Sequence, residues 1–157
     1  MKILTIAKSL TINNLISIYI VNMFINLFIV IIFKEQLRPE SNNSIEHFIN
    51  NQGLWRFLLF LPFAALWEEI FFRYVPIILG VKLNTLIFSI IVSSIAFGWL
   101  HGCWINIFIQ GIMGLWLSLI YLKYYNVDKP YSVFPLFCST LVHYVYNFLL
   151  AVMYLNS

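Results

Sequence analysis

Charge is what this sequence has least of. Of 157 residues, nine are Lys or Arg and six are Asp or Glu, 10% together, where a soluble domain carries about 25%. So few charges cannot clothe a water-facing globule, and the small net charge of +3 is scattered, which excludes a nucleic-acid footprint of clustered basic residues. Cysteine is scarce too. Cys103 and Cys138 form no CxxC pair, and each reads as a small buried hydrophobe rather than a redox or metal centre. There is no GxSxG nucleophile elbow and no HExxH zinc motif. Repeats, heptads and low-complexity segments are also missing.

What fills the chain instead is apolar, 62% by composition. A bilayer-crossing helix needs about 20 apolar residues, and runs of that length recur along the whole sequence. An all-α, polytopic transmembrane bundle of about five spans is predicted. The first span covers about 10–33, too long for a signal-peptide core of about 7–15 residues and with no small-residue cleavage site after it, so it reads as retained. A polar connector over 34–52 follows, containing His47. The second span covers 54–79, with Pro62 inside and Pro76 near its end, and either proline can kink it. The run over 85–122 is too long for one helix and divides into spans at 85–102 and 105–122, broken near Gly98 and Gly102. The fifth covers 132–154. The domain reading is a first span and connector over 1–53, then a helical core over 54–157.

Alternating spans put Lys2, Lys8, Lys82, Lys123 and Lys129 on one side, and Lys34, Arg38 and Arg56 on the other. The excess favours a cytosolic N-terminus.

Against this background the polar residues inside the spans stand out, because such residues are costly in lipid and mark function by default. In Glu68-Glu69-Ile70-Phe71-Phe72-Arg73, Glu69 and Arg73 stand four apart, on one helical face, and can form an ion pair. Glu68 points about 100° away and has no local cation. A carboxylate without a fixed partner is the one free to take a proton, as a general base must. Phe97 and His101 share a face one turn apart, so the ring can hold the imidazole. His143 and Asn147 do likewise, and two donors aimed at one point can stabilise an oxyanion. Taken singly, the His143–Asn147 pair is as readily interhelical glue. Together, three helices supply an acid pair, an imidazole and a donor pair, the set needed to activate water in acyl transfer. Glu68, His101 and His143 could instead ligate zinc, and the same bundle could bind a peptide without cleaving it.

The ordered triple EExxxR, FxxxH and HxxxN, read here as Glu68-Glu69…Arg73, Phe97…His101 and His143…Asn147, resembles the CPBP family. These are the CAAX-processing and bacteriocin-processing intramembrane glutamic endopeptidases, also called Abi or Rce1-like. The resemblance covers about 54–154. It implies that Glu68 and His101 activate water without a metal or other cofactor, that His143 and Asn147 form the oxyanion hole, and that Glu69, Arg73 and Phe97 support the site. It also implies membrane lipid and a peptide or protein substrate as partners, a bacterial cell membrane as the location, and peptide maturation or bacteriocin self-immunity as the role. One expectation is strained. His101 falls about six residues past the centre of its span, roughly 10 Å at 1.5 Å per residue. That requires either a later start to the span or a cap of neighbouring helices over its end.

Overall fold

A computed structural model describes residues 2–32, 54–102 and 104–155. The polar connector with His47, and Cys103, lie outside the described residues. Every regular element among them is helical. The helices are α1 (Lys2–Ser9), α2 (Ile12–Ile32), α3 (Leu54–Glu69), a π-helical turn (Ile70–Tyr74), α4 (Val75–Lys82), α5 (Leu86–Trp99), α6 (Asn106–Tyr124) and α7 (Phe134–Leu155).

Helix α6 is the centre. It packs against α1, α2, α5 and α7. Two apolar clusters surround it: Ile77, Ile90, Tyr121, Leu122 and Tyr125 with Ala7 of α1, and Met113, Trp116, Leu117 and Tyr146 with Leu15 of α2. Meanwhile Phe24, Phe28, Phe63 and Phe88 point outward and are largely exposed. An outer surface this apolar suits contact with lipid. Among the described residues, α6 is long and apolar enough to cross a bilayer, and the bent pair Ile3–Ser9 with Ile12–Asn26 can provide one further span.

Local sequence sets the breaks. The chain turns by 103° between α1 and α2. There Asn14 Oδ1 accepts from the Thr11 backbone N–H at 2.9 Å while Thr11 Oγ1 accepts from the Asn14 N–H at 3.2 Å, a reciprocal cap. Lys123 Nζ of α6 donates to the Leu10 carbonyl and ties the corner to the bundle. The span expected over about 10–33 corresponds to α2, Ile12–Ile32. A separate helix precedes it, because capping at Thr11 ends one helix and starts the next. The α4–α5 turn is a Schellman closure: Asn84 takes φ 58°, the Thr85 N–H reaches Gly80 O at 2.8 Å, and the Asn84 N–H reaches Val81 O. Helix α5 ends as predicted near Gly102, which takes φ 112°. Gly98 lets α6 approach: an added Cβ would lie 2.6 Å from both Asn106 O and Ile107 Cα.

The π turn has a visible cause. Pro76 has no N–H to give to the Phe72 carbonyl, and in a regular α-helix its ring would press on that carbonyl. The wider turn just before it, closed by the Val75 N–H on Ile70 O, relieves the conflict. The chain therefore continues as one helix with a local expansion of its winding.

Candidate active site

The site is assembled on the π turn and the residues beside it. Glu68 and Glu69 end α3, and Arg73 lies within the turn. Glu69 and Arg73 are wholly buried, and Arg73 Nη1 lies 3.4 Å from Glu69 Oε1. Helix α7 brings His143 to the same carboxylate: Nδ1–H donates to Glu69 Oε1 across 2.9 Å. The other ring nitrogen, Nε2, faces Glu68 Oε2 at 3.3 Å, without the alignment of a hydrogen bond. One imidazole therefore stands between two carboxylates. It can donate to both only as imidazolium. Glu69 is fixed by two partners, the Arg73 guanidinium and the His143 ring. Glu68 lies against His143 and within the field of Arg73, and its side chain keeps 30% of its exposure. Ser139, one turn before His143 and buried, also faces Glu69.

Phe97 lies at the middle of the group. Arg73 Cζ stands 4.1 Å above its ring centroid, a cation–π contact in a dry setting. The His101 and His143 rings meet Phe97 edge-on at 4.5 and 5.7 Å between centroids. His101 Nδ1–H donates to the Phe97 carbonyl at 2.6 Å. That bond fixes the tautomer and leaves Nε2 as an acceptor.

Neither accommodation expected for His101 occurs. Helix α5 begins at Leu86, close to the predicted start, and His101 follows the helix end on an exposed turn. The reason is Gly102, whose left-handed backbone stops the helix, and Asn106, whose side chain donates to His101 O and secures the turn. Asn147 is half-buried on α7. No hydrogen bond or ion pair among the described residues joins His101 or Asn147 to Glu68. The structure thus brings Glu68, Glu69, Arg73 and His143 into direct contact, and connects His101 through the Phe97 ring.

Sequence reasoning passed over Gly114 and Ser94. An added Cβ at Gly114 would lie 3.1 Å from Arg73 Nη2, and 3.3 Å from both Phe97 Cδ1 and Ser94 Oγ. Gly114 thus makes the space that the guanidinium occupies. Ser94 Oγ is buried without a hydrogen-bond partner, as are Glu69 Oε2 and Arg73 Nε. Buried polar atoms of this kind mark a place for water or a ligand. The signal that could have found Gly114 is a small residue within an otherwise bulky apolar helix. Among the described residues, no three His, Cys, Asp or Glu side chains are grouped to hold a metal ion.

Chemically, the arrangement can hold a water near Glu68, accept its proton, and place an imidazole donor beside the reacting centre. A family model described as Rce1-like type II CAAX prenyl endopeptidase matches residues 50–149, well over half of the chain. No curated protein and no solved structure matches it.

Proposed function

Because the chain belongs to the Rce1-like type II CAAX prenyl endopeptidase family, a membrane-embedded protease family, we propose that it is an intramembrane endopeptidase using a Glu-activated water. In this reading Glu68, aided by His101 Nε2, takes a proton from water as the oxygen attacks the peptide carbonyl. The C–O bond forms, and negative charge collects on the former carbonyl oxygen. His143 and Asn147 donate to that oxygen. The proton held by Glu68 then passes to the departing amine as the C–N bond breaks, leaving an acid and an amine. Glu69 and Arg73 keep His143 in place, the part a buried carboxylate plays behind any catalytic imidazole.

The observation that carries this reading is His143 held between Glu69 and Glu68. In this reading the two adjacent acids have different tasks. One is locked in an ion pair, and the other faces the imidazole from a partly open position.

The substrate class follows from the family: a peptide or protein, with a prenylated CAAX segment as the first candidate. We further propose a five-span bundle with the core over 54–157, a cytosolic N-terminus, and a bacterial cell membrane as its place. Peptide maturation or bacteriocin self-immunity is its role. The test is cleavage of a farnesylated, quenched CAAX peptide by purified protein in detergent. Cleavage by the parent protein and its loss in Glu68→Gln is the expected result. Full biological function in Glu68→Gln would favour a non-catalytic binder.

A further inference from the structure

Helix α2 lies before the region that carries the family match, yet it holds two polar side chains that the peptidase reading does not use. Asn22 and Asn26 are 2% and 6% exposed, deep within an apolar helix. They stand four apart and so share one face. Asn22 Nδ2 donates only to Met113 Sδ at 3.7 Å, a weak acceptor. Among the described residues, Asn22 Oδ1, Asn26 Oδ1 and Asn26 Nδ2 have no hydrogen-bond partner. Asn26 faces the Tyr146 hydroxyl without an aligned bond. An unmet polar group is costly in an apolar interior, and two on one face are doubly so.

We propose that Asn22 and Asn26 form a recognition strip for the backbone of an extended peptide, the substrate segment of the peptidase reading on which this rests. Peptide-bond hydrolysis needs an extended segment, because a helix hides its amides in its own hydrogen bonds. At membrane depth, the N–H and C=O groups thus released have no water to turn to. A carboxamide offers one acceptor and two donors, the complement of a backbone amide. The spacing fits as well. Four residues of helix rise about 6 Å, and two residues of extended chain rise about 6.7 Å, so successive carboxamides meet alternate residues of the peptide.

Position fits too. Tyr146 lies on α7 between His143 and Asn147, and Met113 is next to Gly114, which abuts Arg73. The strip's two contacts, Tyr146 and Met113, are thus sequence neighbours of residues that line the proposed site. The strip is closed in this structure, and α2 must separate from α6 and α7 to open it. Among the described residues the links holding it are apolar, apart from Trp116 Nε1 to Leu15 O at 3.1 Å, the weak Asn22–Met113 contact and the Lys123 bond to Leu10 O at the corner.

The test uses Asn22→Leu/Asn26→Leu in the full chain, in detergent. Leu keeps the branching and heavy-atom count of Asn, with bulkier tips, and removes the unmet polar atoms. Thermal unfolding and the KM for the farnesylated CAAX peptide are both read. The expected result is a melting temperature roughly 2–5 °C higher with a KM raised about tenfold. A lower melting temperature would identify the pair as interhelical glue and overturn the proposal. A higher one with unchanged KM would overturn it also. Binding of the same peptide to the Glu68→Gln protein, followed by fluorescence anisotropy, should weaken by the same factor. It reads the strip without turnover, so a parent protein that binds but does not cleave counts against the peptidase reading and not against the strip. Binding unaffected by the double substitution, or absent from the parent, counts against the strip.

Discussion

His143 Nδ1 lies 2.9 Å from Glu69 Oε1, although 74 positions separate the two residues in sequence. This bond fastens α7 to the end of α3 and sets the direction of the imidazole. Its other nitrogen then lies on the Glu68 side, 3.3 Å from Oε2.

Glu69 should therefore behave as a structural anion. Removing one member of a buried ion pair costs about 3–5 kcal/mol. Glu69→Ala and Arg73→Ala are expected to lose that much stability, seen as a lower melting temperature and less folded protein in the membrane. Glu69→Gln keeps an acceptor for His143 but leaves Arg73 without its counter-charge, so it should fall between. An unchanged melting temperature in Arg73→Ala would show that the pair bears no weight.

Glu68→Gln should separate folding from chemistry. Glu68 is partly exposed and outside the Glu69–Arg73 pair, so the variant should fold like the parent. Cleavage should drop by about 100-fold or more, the usual loss on removing a general base. Near-parental turnover would assign the base elsewhere.

Asn147→Ala should lower kcat by about 100–1,000-fold, as loss of one oxyanion donor does, with KM little changed. An effect on KM alone would make Asn147 a binding residue.

The two glycines of the α5–α6 contact should differ. At Gly98 an added methyl meets backbone at 2.6 Å, and backbone cannot step aside. Gly98→Ala should cost about 1–3 kcal/mol through overpacking. At Gly114 the nearest atom is the Arg73 guanidinium at 3.1 Å, which shifts more easily. Gly114→Ala should cost less stability than Gly98→Ala, because the guanidinium can shift slightly without leaving Glu69, and should lower activity by disturbing the support of His143. Equal melting temperatures for the two variants would contradict this.

A metal-free mechanism makes its own demand. Cleavage of the peptide should persist after treatment with a strong chelator. Loss of activity that zinc restores would move Glu68 and His143 into a ligand set.

Much of this was legible in the sequence. Helix limits at Leu54, Leu86, Asn106 and Phe134 follow the apolar runs closely, since hydrophobic length is the strongest signal such a chain gives. The four-residue spacing of Glu69 and Arg73 carried over, because both ends of the contact lie on one helix. Contacts between helices were less accessible. The approach of His143 to both acids depends on packing that no local pattern encodes. The corner at Thr11 was hidden by a strong apolar run, although Thr11-Ile12-Asn13-Asn14 is a capping pattern. His101 was drawn into the span because hydropathy does not register the left-handed turn at Gly102. Asn22 and Asn26 were submerged in a span dominated by isoleucine, leucine, valine and phenylalanine.

The π turn at Ile70–Tyr74 has a consequence for helix phase. A regular α-helix advances about 100° per residue, so one extra residue in the winding rotates everything downstream relative to everything upstream. The stretch before the turn packs against α7, and the stretch after it packs against α5. One rod thus serves two neighbours on two azimuths, with the acids at the point of rotation. Deleting a single residue between 70 and 74 would shorten the rod by only about 1.5 Å. It would also turn one half away from its partner, so the protein should tolerate substitution here far better than a change of length.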